Sequence, residues 1–376
     1  MRIVISKKRL EEAVKNIGRV INPKNALPIL DDIMFSVDSK MKRMELLGSD
    51  GEIWLHYCVE LADADDDGSF CIDAKLIKKA LKGLKDQPIT ITTDTKGLPS
   101  FKLEHESGVT SLPIHDACEY PEYHLVPEIL TEWILNADML KRIIKRSLPA
   151  TTDDELRPVM TGVFFEQTEN AFSVVASDGH MLVHTAQNIK KTPGSFIMPK
   201  KAAKLLPNLL SGTEDVKVIF DERLAMFGQG NTTLTFRVIE GRYPNYMAVI
   251  PKDTPYSMKA DRKSLLSALK NAANFASNKR LAQLSISSNQ YMEVSCIDYD
   301  FETSATDRIT IDYPYATDMK IGVHADHFGT LLSLMTENDI TICFTDPSRA
   351  ITITANEPAN DGEEVLMLCM PMLLDD

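Results

Sequence analysis

Short strand-like runs alternate along this chain with amphipathic helical patterns, and the same order of patterns occurs three times. Residues 70–94, 196–221 and 321–346 each have the pattern strand, helix, turn, strand. A second series, at residues 1–17, 132–148 and 256–272, has an extended segment, a polar cap region and then an apolar helical stripe. These patterns predict one supersecondary unit in three places.

Short motifs repeat with the same period of about 125 residues, a typical size for a single domain. Ser-Asp-Gly at 49–51 recurs at 177–179, and the motif at 120–123, Tyr-Pro-Glu-Tyr, is answered by Tyr-Pro-Asn-Tyr at 243–246. We therefore predict an α+β fold with three copies of one domain, each with two helices packed on antiparallel sheets. The predicted domains are residues 1–126, 127–252 and 253–376.

Composition limits the class of protein. The 376 residues contain no apolar run of about 18, so no membrane partner is expected. The N-terminus lacks an apolar stretch typical of a secretory signal, and the six cysteines form no C-x-x-C pair or Cys/His cluster. We expect a cytoplasmic protein with no metal and no cofactor.

Positive charge is concentrated in the predicted helices, although the whole chain carries −13. Only four acidic residues occur in the five basic helical stretches, which are 7–19, 74–85, 138–147, 199–210 and 261–280. The sixth stretch, 324–338, is acidic. Lysine and arginine favour exposed helix faces in general, but the scarcity of glutamate favours an anionic polymer as partner.

Four segments carry a family resemblance: LPIL at 27–30, ASDGHML at 176–182, EGRYPNYMAVIP at 240–251 and MPMLL at 370–374. Together with the threefold repeat, they resemble the bacterial β sliding clamps, the processivity subunits of DNA polymerase III. The resemblance implies a closed ring, formed by a head-to-tail homodimer, with twelve helices lining the hole. It also implies sequence-independent binding of double-stranded DNA. The implied protein partners are the replicative polymerase, the clamp loader and other proteins with a clamp-binding motif.

Two other classes of protein are alternatives. His180 and His184 beside Asp178 suggest an acid–base or metal site, but residues i and i+4 of a strand lie about 13 Å apart. No P-loop, G-x-S-x-G or G-x-G-x-x-G motif is present in the sequence. The second is a scaffold or adhesion protein of three similar domains, whose secretion would explain the β content. The lack of a secretory signal pattern and the unpaired cysteines argue against it. Because such a protein could be monomeric, its mass by light scattering would distinguish it from a dimeric clamp.

By the same resemblance, five residues are expected to contact DNA: Lys24, Lys75, Arg157, Lys200 and Lys201. Ordinary solvated side chains are the alternative for each. Val109, on an edge strand of domain 1, and Phe275, on a helix of domain 3, are expected at the dimer interface. A core position is the alternative for Phe275. Ser107 and Ala276 stand where relatives often have a bulkier residue.

The resemblance also implies an apolar pocket between domains 2 and 3 for an extended partner peptide with Gln followed by Leu and Phe. Its expected residues are Met160, Ser177, Gly179, His180, Met181, Leu182, Pro244, Met247, Ala248, Val249, Leu368, Met370, Pro371 and Met372. For Leu182 and Val249 a core position is the alternative. Met181 and Ala248 replace arginines of some relatives, and His324 and His327 are expected at the rim.

Overall fold

The structure is a computed structural model that describes residues 1–376 apart from 23, 24, 26, 95–98, 122–126, 129, 130, 279, 299, 358–361, 375 and 376. The chain divides into two compact units. The first contains residues 1–141 and 204–238, and the second contains residues 142–203 and 239–376. The domain boundaries at 126/127 and 252/253 stay a prediction.

Helices occupy all six stretches that were predicted from the sequence. They are α1 (Lys7–Ile17), α2 (Ala74–Lys82), α3 (Ala137–Ser147), α4 (Lys200–Leu209), α5 (Arg262–Ala273) and α6 (Ala325–Leu334). Asp73 and Asp261 cap α2 and α5, because their carboxylates accept hydrogen bonds from first-turn amides. No helix within the described ranges is long and apolar enough to cross a membrane.

The strands of the first unit form two antiparallel sheets. The first contains β1 (Arg2–Ser6), β5 (Asp63–Ala64), β7 (Pro88–Asp94), β8 (Ser100–His105) and β9 (Gly108–Pro113), in the order β5-β1-β7-β8-β9. The second contains β2 (Asp32–Asp38), β3 (Arg43–Ser49), β4 (Ile53–Glu60), β6 (Gly68–Asp73), β10 (Thr131–Asn136), β15 (Asp215–Phe220), β16 (Leu224–Gln229) and β17 (Thr232–Arg237). Its order is β10-β15-β16-β17-β4-β3-β2-β6, so β17 and β4 join the first two predicted domains.

The second unit has one antiparallel sheet of thirteen strands. They are β11 (Gly162–Gln167), β12 (Phe172–Ser177), β13 (Met181–Gln187), β14 (Gly194–Pro199), β18 (Tyr256–Asp261), β19 (Leu281–Ser287), β20 (Tyr291–Asp298), β21 (Thr303–Asp312), β22 (Met319–His324), β23 (Asp339–Phe344), β24 (Ile351–Ala355), β25 (Glu363–Cys369) and β26 (Pro371–Met372). Their order is β14-β11-β12-β13-β25-β24-β23-β18-β21-β20-β19-β22-β26. The β13–β25 pair joins the second and third predicted domains.

Alternation along β13 and β25 separates two faces of this sheet. Val183 and Met367 lie opposite each other and belong to the core that α5 and α6 cover. Leu182 and Leu368, also opposite each other, point to the other face, where they pack with Tyr243. This second face carries the candidate pocket.

Among the strand edges that are open in the described part of the chain are those of β9 and of most of β21. Strand β9 ends the five-stranded sheet and pairs only with β8. In the second unit, residues 303–310 of β21 pair with β20 on one side. On the other side, β18 pairs only with Ile311 and Asp312, so the edge of β21 before these two residues is open. Open edges present unpaired backbone groups that favour association with another strand.

Candidate partner-binding pocket and basic helix faces

A tight turn before β13 builds one wall of the pocket. Asp178 accepts hydrogen bonds at one carboxylate oxygen from the amides of His180 and Met181, at 2.8 and 2.7 Å. The Ser177 hydroxyl donates to the Met181 carbonyl at 2.8 Å. Gly179 has a φ of +92°, a conformation that glycine adopts without steric cost. The sequence Ser-Asp-Gly therefore fixes where the following side chains point.

The turn at residues 49–51 has the same construction. Gly51 also has a φ of +92°, and Asp50 accepts hydrogen bonds from the amides of Glu52 and Ile53. Ser49 lies opposite Trp54 in the β3–β4 pair, as Ser177 lies opposite Leu182 in the β12–β13 pair. The repeat seen in the sequence is thus a repeat of three-dimensional structure.

A cavity of about 140 Å³ lies on the face of the sheet that carries Leu182. This volume suits one or two side chains, since sites for whole small molecules typically measure about 300–1,000 Å³. It is lined by Met160, Ser177, Gly179, His180, Met181, Leu182, Tyr243, Pro244, Asn245, Tyr246, Val249, Leu368 and Met370. Ten of the fourteen residues expected from the sequence are therefore brought together.

Four expected residues lie outside this lining. Met247 lines a neighbouring cavity of about 390 Å³. Ala248 is exposed on a 3-10 turn. Pro371 and Met372 form β26 instead, with Met372 opposite Gly322 and Pro371 opposite Val323 of β22. The tail therefore forms a short strand in the sheet, and of its described residues, 370–374, only Met370 lines the pocket.

Aromatic residues of the Tyr-Pro-Asn-Tyr motif were missed as pocket residues. The Tyr243 ring is buried and stacks on Phe164 with centroids 4.7 Å apart. The Tyr246 hydroxyl donates to Glu166 at 3.0 Å, and burial raises the pKa of Tyr246 to about 12. These contacts fix the segment that carries Pro244 and Val249. The motif was the available signal, but only its Pro244 was predicted from the sequence to line the pocket.

The core alternatives have different outcomes at the pocket. Leu182 is buried and belongs to a small core cluster with Tyr243 and Leu368, while it also lines the cavity. Val249 is exposed and is therefore not a core residue. Leu182 forms a floor and Val249 forms part of a rim.

Arg157 lies against the pocket turn. Its guanidinium donates to the Asp178 carbonyl at 3.1 Å and to the Asp154 carboxylate at 2.9 Å. A Cβ at Gly179 would lie 2.8 Å from Arg157 Nη1. Arg157, expected from the resemblance to contact DNA, thus supports the pocket wall.

His184 is no partner for His180 in an acid–base pair. Its ring is half-buried beside Tyr246, and burial lowers its pKa to about 4. Its Nε2 lies 3.2 Å from the Ser173 hydroxyl. No cluster of three or more His, Cys, Asp or Glu suited to a metal occurs among the described residues.

Several helical arginines are engaged within the protein. Arg142 and Arg146 of α3 both bond the buried carboxylate of Glu363, at distances down to 2.5 and 2.6 Å. Arg262 donates to the carbonyls of Leu332 and Glu337 at the end of α6. The charge pattern of the sequence therefore overstates the basic surface of these two helices.

Exposed lysines flank a groove of about 600 Å³ between α1 and α2 in the first unit. The basic residues of its lining are Lys8, Lys15, Lys78 and Lys82. Glu11 and Glu12 also line it. Helical charge predicted such a surface, but the packing of α1 on α2 was needed to identify its residues.

The predicted DNA contacts differ in their surroundings. Lys75 is exposed in the first turn of α2. Lys200 pairs with Asp153 at 2.7 Å, and burial lowers the pKa of Lys201. Lys24 lies outside the described residues.

The predicted interface residues are both at the surface. Val109 is 62 % exposed on the open edge strand β9. Phe275 is 45 % exposed just beyond the end of α5, so a core position does not describe it. Both leave apolar surface in water, as unassembled interface residues do.

Solved structures define the class of fold. The DNA polymerase III subunit beta of Pseudomonas aeruginosa superposes over 100 % of both chains with a TM-score of 0.91 at 21 % identity. The subunit from Thermotoga maritima also covers 100 % of both chains, with a TM-score of 0.88 at 21 % identity. A sliding clamp of P. aeruginosa bound to griselimycin matches equally, with a TM-score of 0.91 at 21 % identity over 100 % of both chains. The fold is that of the sliding clamps.

Sequence comparison establishes the family. The model of the DNA polymerase III beta subunit N-terminal domain matches residues 1–124, and that of the central domain matches residues 134–245. The beta sliding clamp of Pseudomonas putida is 24 % identical over 380 residues, covering 100 % of each chain. That of Streptococcus pneumoniae is 22 % identical over 380 residues, covering 98 % of each. The chain belongs to the family of DNA polymerase III beta subunits.

Family membership confirms the prediction of a non-catalytic sliding clamp with three domains. It does not favour an enzyme, a scaffold or an adhesion protein.

Proposed function

We propose that two copies of this chain close head to tail into a ring around duplex DNA and tether the replicative polymerase to it. The full-length match to sliding clamps carries this proposal. The clamp loader and other proteins with a clamp-binding motif would occupy the same pocket at other times. The protein would do this work in the cytoplasm.

A ring holds DNA by topology, so its contacts to phosphates need not be strong. Neutralising 6–10 phosphates would give tight, salt-dependent binding and oppose sliding. The lysines around the α1–α2 groove, with Lys75, Lys200 and Lys201, suit loose contacts because their long side chains carry compact, hydrated charges. Lys24 is included in this proposal by the family resemblance alone.

The dimer would join the open edge of β9 to the open part of β21 in the other copy. Backbone pairing would satisfy both edges, and Val109 and Phe275 would lose their exposed apolar surface. Ser107 and Ala276 supply little apolar area, so we expect a weaker dimer than in relatives with bulkier residues there.

Light scattering tests the assembly. We expect twice the chain mass of 42.0 kDa, and dissociation in Val109→Asp. Met41→Asp places the same charge at another exposed apolar position of the first unit and should remain dimeric. A monomeric wild-type protein at micromolar concentration would contradict the ring.

Peptide binding tests the pocket. A labelled extended peptide with Gln followed by Leu and Phe should bind the full chain. A folded, dimeric chain without residues 370–376 should lose most of this affinity, since it lacks Met370 and the strand that fixes it. Unchanged affinity would exclude the site.

A further inference from the structure

A cavity of about 390 Å³ lies beside the pocket, on the other side of the turn Tyr246–Ala248. Tyr246 and Val249 line the pocket, whereas Met247 and Ile250 line this second space, the side cavity. Its volume falls in the range of about 300–1,000 Å³ that is typical of sites for whole small molecules. The side cavity is therefore large enough to receive more of a partner than the pocket receives.

A cross-strand row of three residues lines the side cavity. Leu366 of β25 lies opposite His184 of β13 and, on its other side, opposite Thr354 of β24. These side chains point to the same face of the sheet as Leu182 and Leu368, which lie two positions away along β13 and β25. The side cavity and the pocket thus lie on one face, separated by a single turn.

Three carboxylates also line the side cavity, and one of them is already neutralised. Glu363 is buried and is held by the two arginines of α3 and by Gln187. Glu364 is exposed, and Glu337 is half-buried and accepts a backbone amide at 3.0 Å. Among the described residues that line the side cavity there is no lysine or arginine. Glu337 and Glu364 therefore give it a negative potential.

The nearby basic groups do not occupy this space. Burial lowers the pKa of His184 to about 4, so its imidazole is uncharged near neutral pH. Arg262 approaches Glu337 from α5, where its guanidinium donates to the Glu337 carbonyl at 2.7 Å, and it does not line the side cavity. An added cation would therefore meet carboxylates above an apolar row.

The equivalent position in the first unit has a different arrangement. SDGEIWLH at 49–56 corresponds to SDGHMLVH at 177–184, so His56 is the counterpart of His184. His56 also lines a cavity, of about 310 Å³, but its Nε2 lies 3.2 Å from the Glu45 carboxylate. An acid faces an imidazole there, whereas the imidazole of His184 faces a hydroxyl. The first unit therefore offers a matched control.

Arginine has the chemistry that this combination of surfaces requires. Its aliphatic stem packs on apolar surface while its charged end stays near water or an acid. Its planar guanidinium forms paired hydrogen bonds with carboxylates and is more weakly hydrated than the ammonium of lysine. One side chain could thus cover Leu366 and Met247 and reach Glu364, whereas an acidic side chain would be repelled.

We propose that the side cavity binds an arginine, with an apolar residue next to it, of a protein that docks on this face of the clamp. The inference rests on the proposed function, because it takes this face as the one on which partners dock. Only the turn Tyr246–Ala248 separates the two sites, so one partner can occupy both. The arginine would add a contact that the Gln, Leu and Phe motif does not supply.

The test uses the full chain with isotope-labelled methionine methyl groups and two probes, acetyl-Leu-Arg-amide and acetyl-Leu-citrulline-amide. Citrulline keeps the shape of arginine but lacks its charge. In an NMR titration the Met247 signal should report binding of the arginine probe about tenfold more tightly than the citrulline probe, the effect of one charge-assisted hydrogen bond. Added salt should reduce this ratio by screening the charges. Met226, in the cavity of the first unit, should not respond.

Variants assign the preference to the acidic lining. Glu364→Gln should remove the preference for arginine, while the citrulline probe should bind as before. Glu45→Gln, in the equivalent cavity of the first unit, should retain the preference. Equal affinities of the two probes for the wild type, or an undiminished preference in Glu364→Gln, would overturn the inference. A response confined to Met160 and Met370, which line the pocket, would overturn it as well.

Failure of this inference and failure of the proposed pocket give different results. The Gln, Leu and Phe peptide should shift the signals of Met160 and Met370, so the pocket has reporters of its own. If those signals respond to the peptide while Met247 ignores the arginine probe, the pocket stands and the arginine site is excluded. If Met247 responds to the arginine probe and the peptide shifts neither pocket signal, the pocket is excluded and the arginine site stands.

Discussion

Replacing Leu182 by tryptophan should close the pocket without unfolding the chain. The first domain already has tryptophan at the equivalent position, since SDGEIW at 49–54 corresponds to SDGHML at 177–182. Trp54 is only 5 % exposed and packs with Leu30 and Tyr120 in a core cluster. The same turn therefore supports an indole in one copy and leaves a cavity in the other.

The magnitude follows from the size of the cavity. An indole at position 182 would project into the space of about 140 Å³ that Leu182 borders. A partner side chain excluded from it would lose an anchor of about 2 kcal/mol or more, a loss of roughly 30-fold in affinity. If the ring fitted poorly, overpacking would cost about 1–3 kcal/mol in the free energy of unfolding.

Fluorescence anisotropy with the labelled Gln, Leu and Phe peptide measures the affinity, and thermal melting measures the stability. Leu156→Trp is the matched control, because Leu156 is 92 % exposed and does not line the pocket. It should bind the peptide as the wild type does. Wild-type affinity in a folded Leu182→Trp protein would refute the assignment of the cavity.

Three further variants test the tail, the buried ion pair and the basic groove separately. Gly322→Val should detach the tail, because a Cβ there would overlap the Met372 carbonyl oxygen. It should weaken peptide binding as the removal of residues 370–376 does. The control Gly329→Ala should have little effect, because its Cβ would lie 3.4 Å from the nearest neighbouring atom. Glu363→Gln should lower the free energy of unfolding by about 3–5 kcal/mol at pH 7, because buried Arg146 and half-buried Arg142 lose their counter-ion. Burial alone would raise the pKa of Glu363, but the hydrogen bonds from these two arginines outweigh burial and lower it. The stability that the Glu363 carboxylate contributes should therefore be lost as the pH falls through this lowered pKa. Denaturation at varied pH should detect this loss in the wild type and not in Glu363→Gln. The third change replaces three lysines of the α1–α2 groove, Lys8, Lys78 and Lys82, by glutamine. The melting temperature should stay unchanged. The slope of log affinity for DNA against log salt concentration should fall by about one unit for each phosphate contact that is lost.

The threefold repeat, the helices and much of the pocket could be predicted from the sequence because their signals are local. The turn at 177–179 determines the direction of the next residues, and its motif occurs twice with the same spacing. The burial of Tyr243 against Phe164 could not be predicted, since it joins residues far apart in the sequence through stacking.

Long-range ion pairs explain why helical charge was a poor guide to individual residues. Arg146 has the periodicity of a helix residue, but its partner Glu363 is 217 positions away. No helical pattern distinguishes an arginine that meets a buried carboxylate from one that faces solvent. The place of the tail was equally hard to predict from the sequence. Apolar residues at 370–374 are compatible both with a pocket wall and with an edge strand, and the structure pairs Pro371 and Met372 with β22.

Retention on DNA of different topology tests the central claim most directly. The labelled protein would be loaded by a clamp loader on nicked circular DNA, separated from free protein, and followed before and after a single cut that linearises the circle. A ring that holds DNA by topology should stay on the circle at moderate salt and leave the linear product from its ends. Equal loss from circular and linear DNA would contradict the proposal that this chain encircles the duplex.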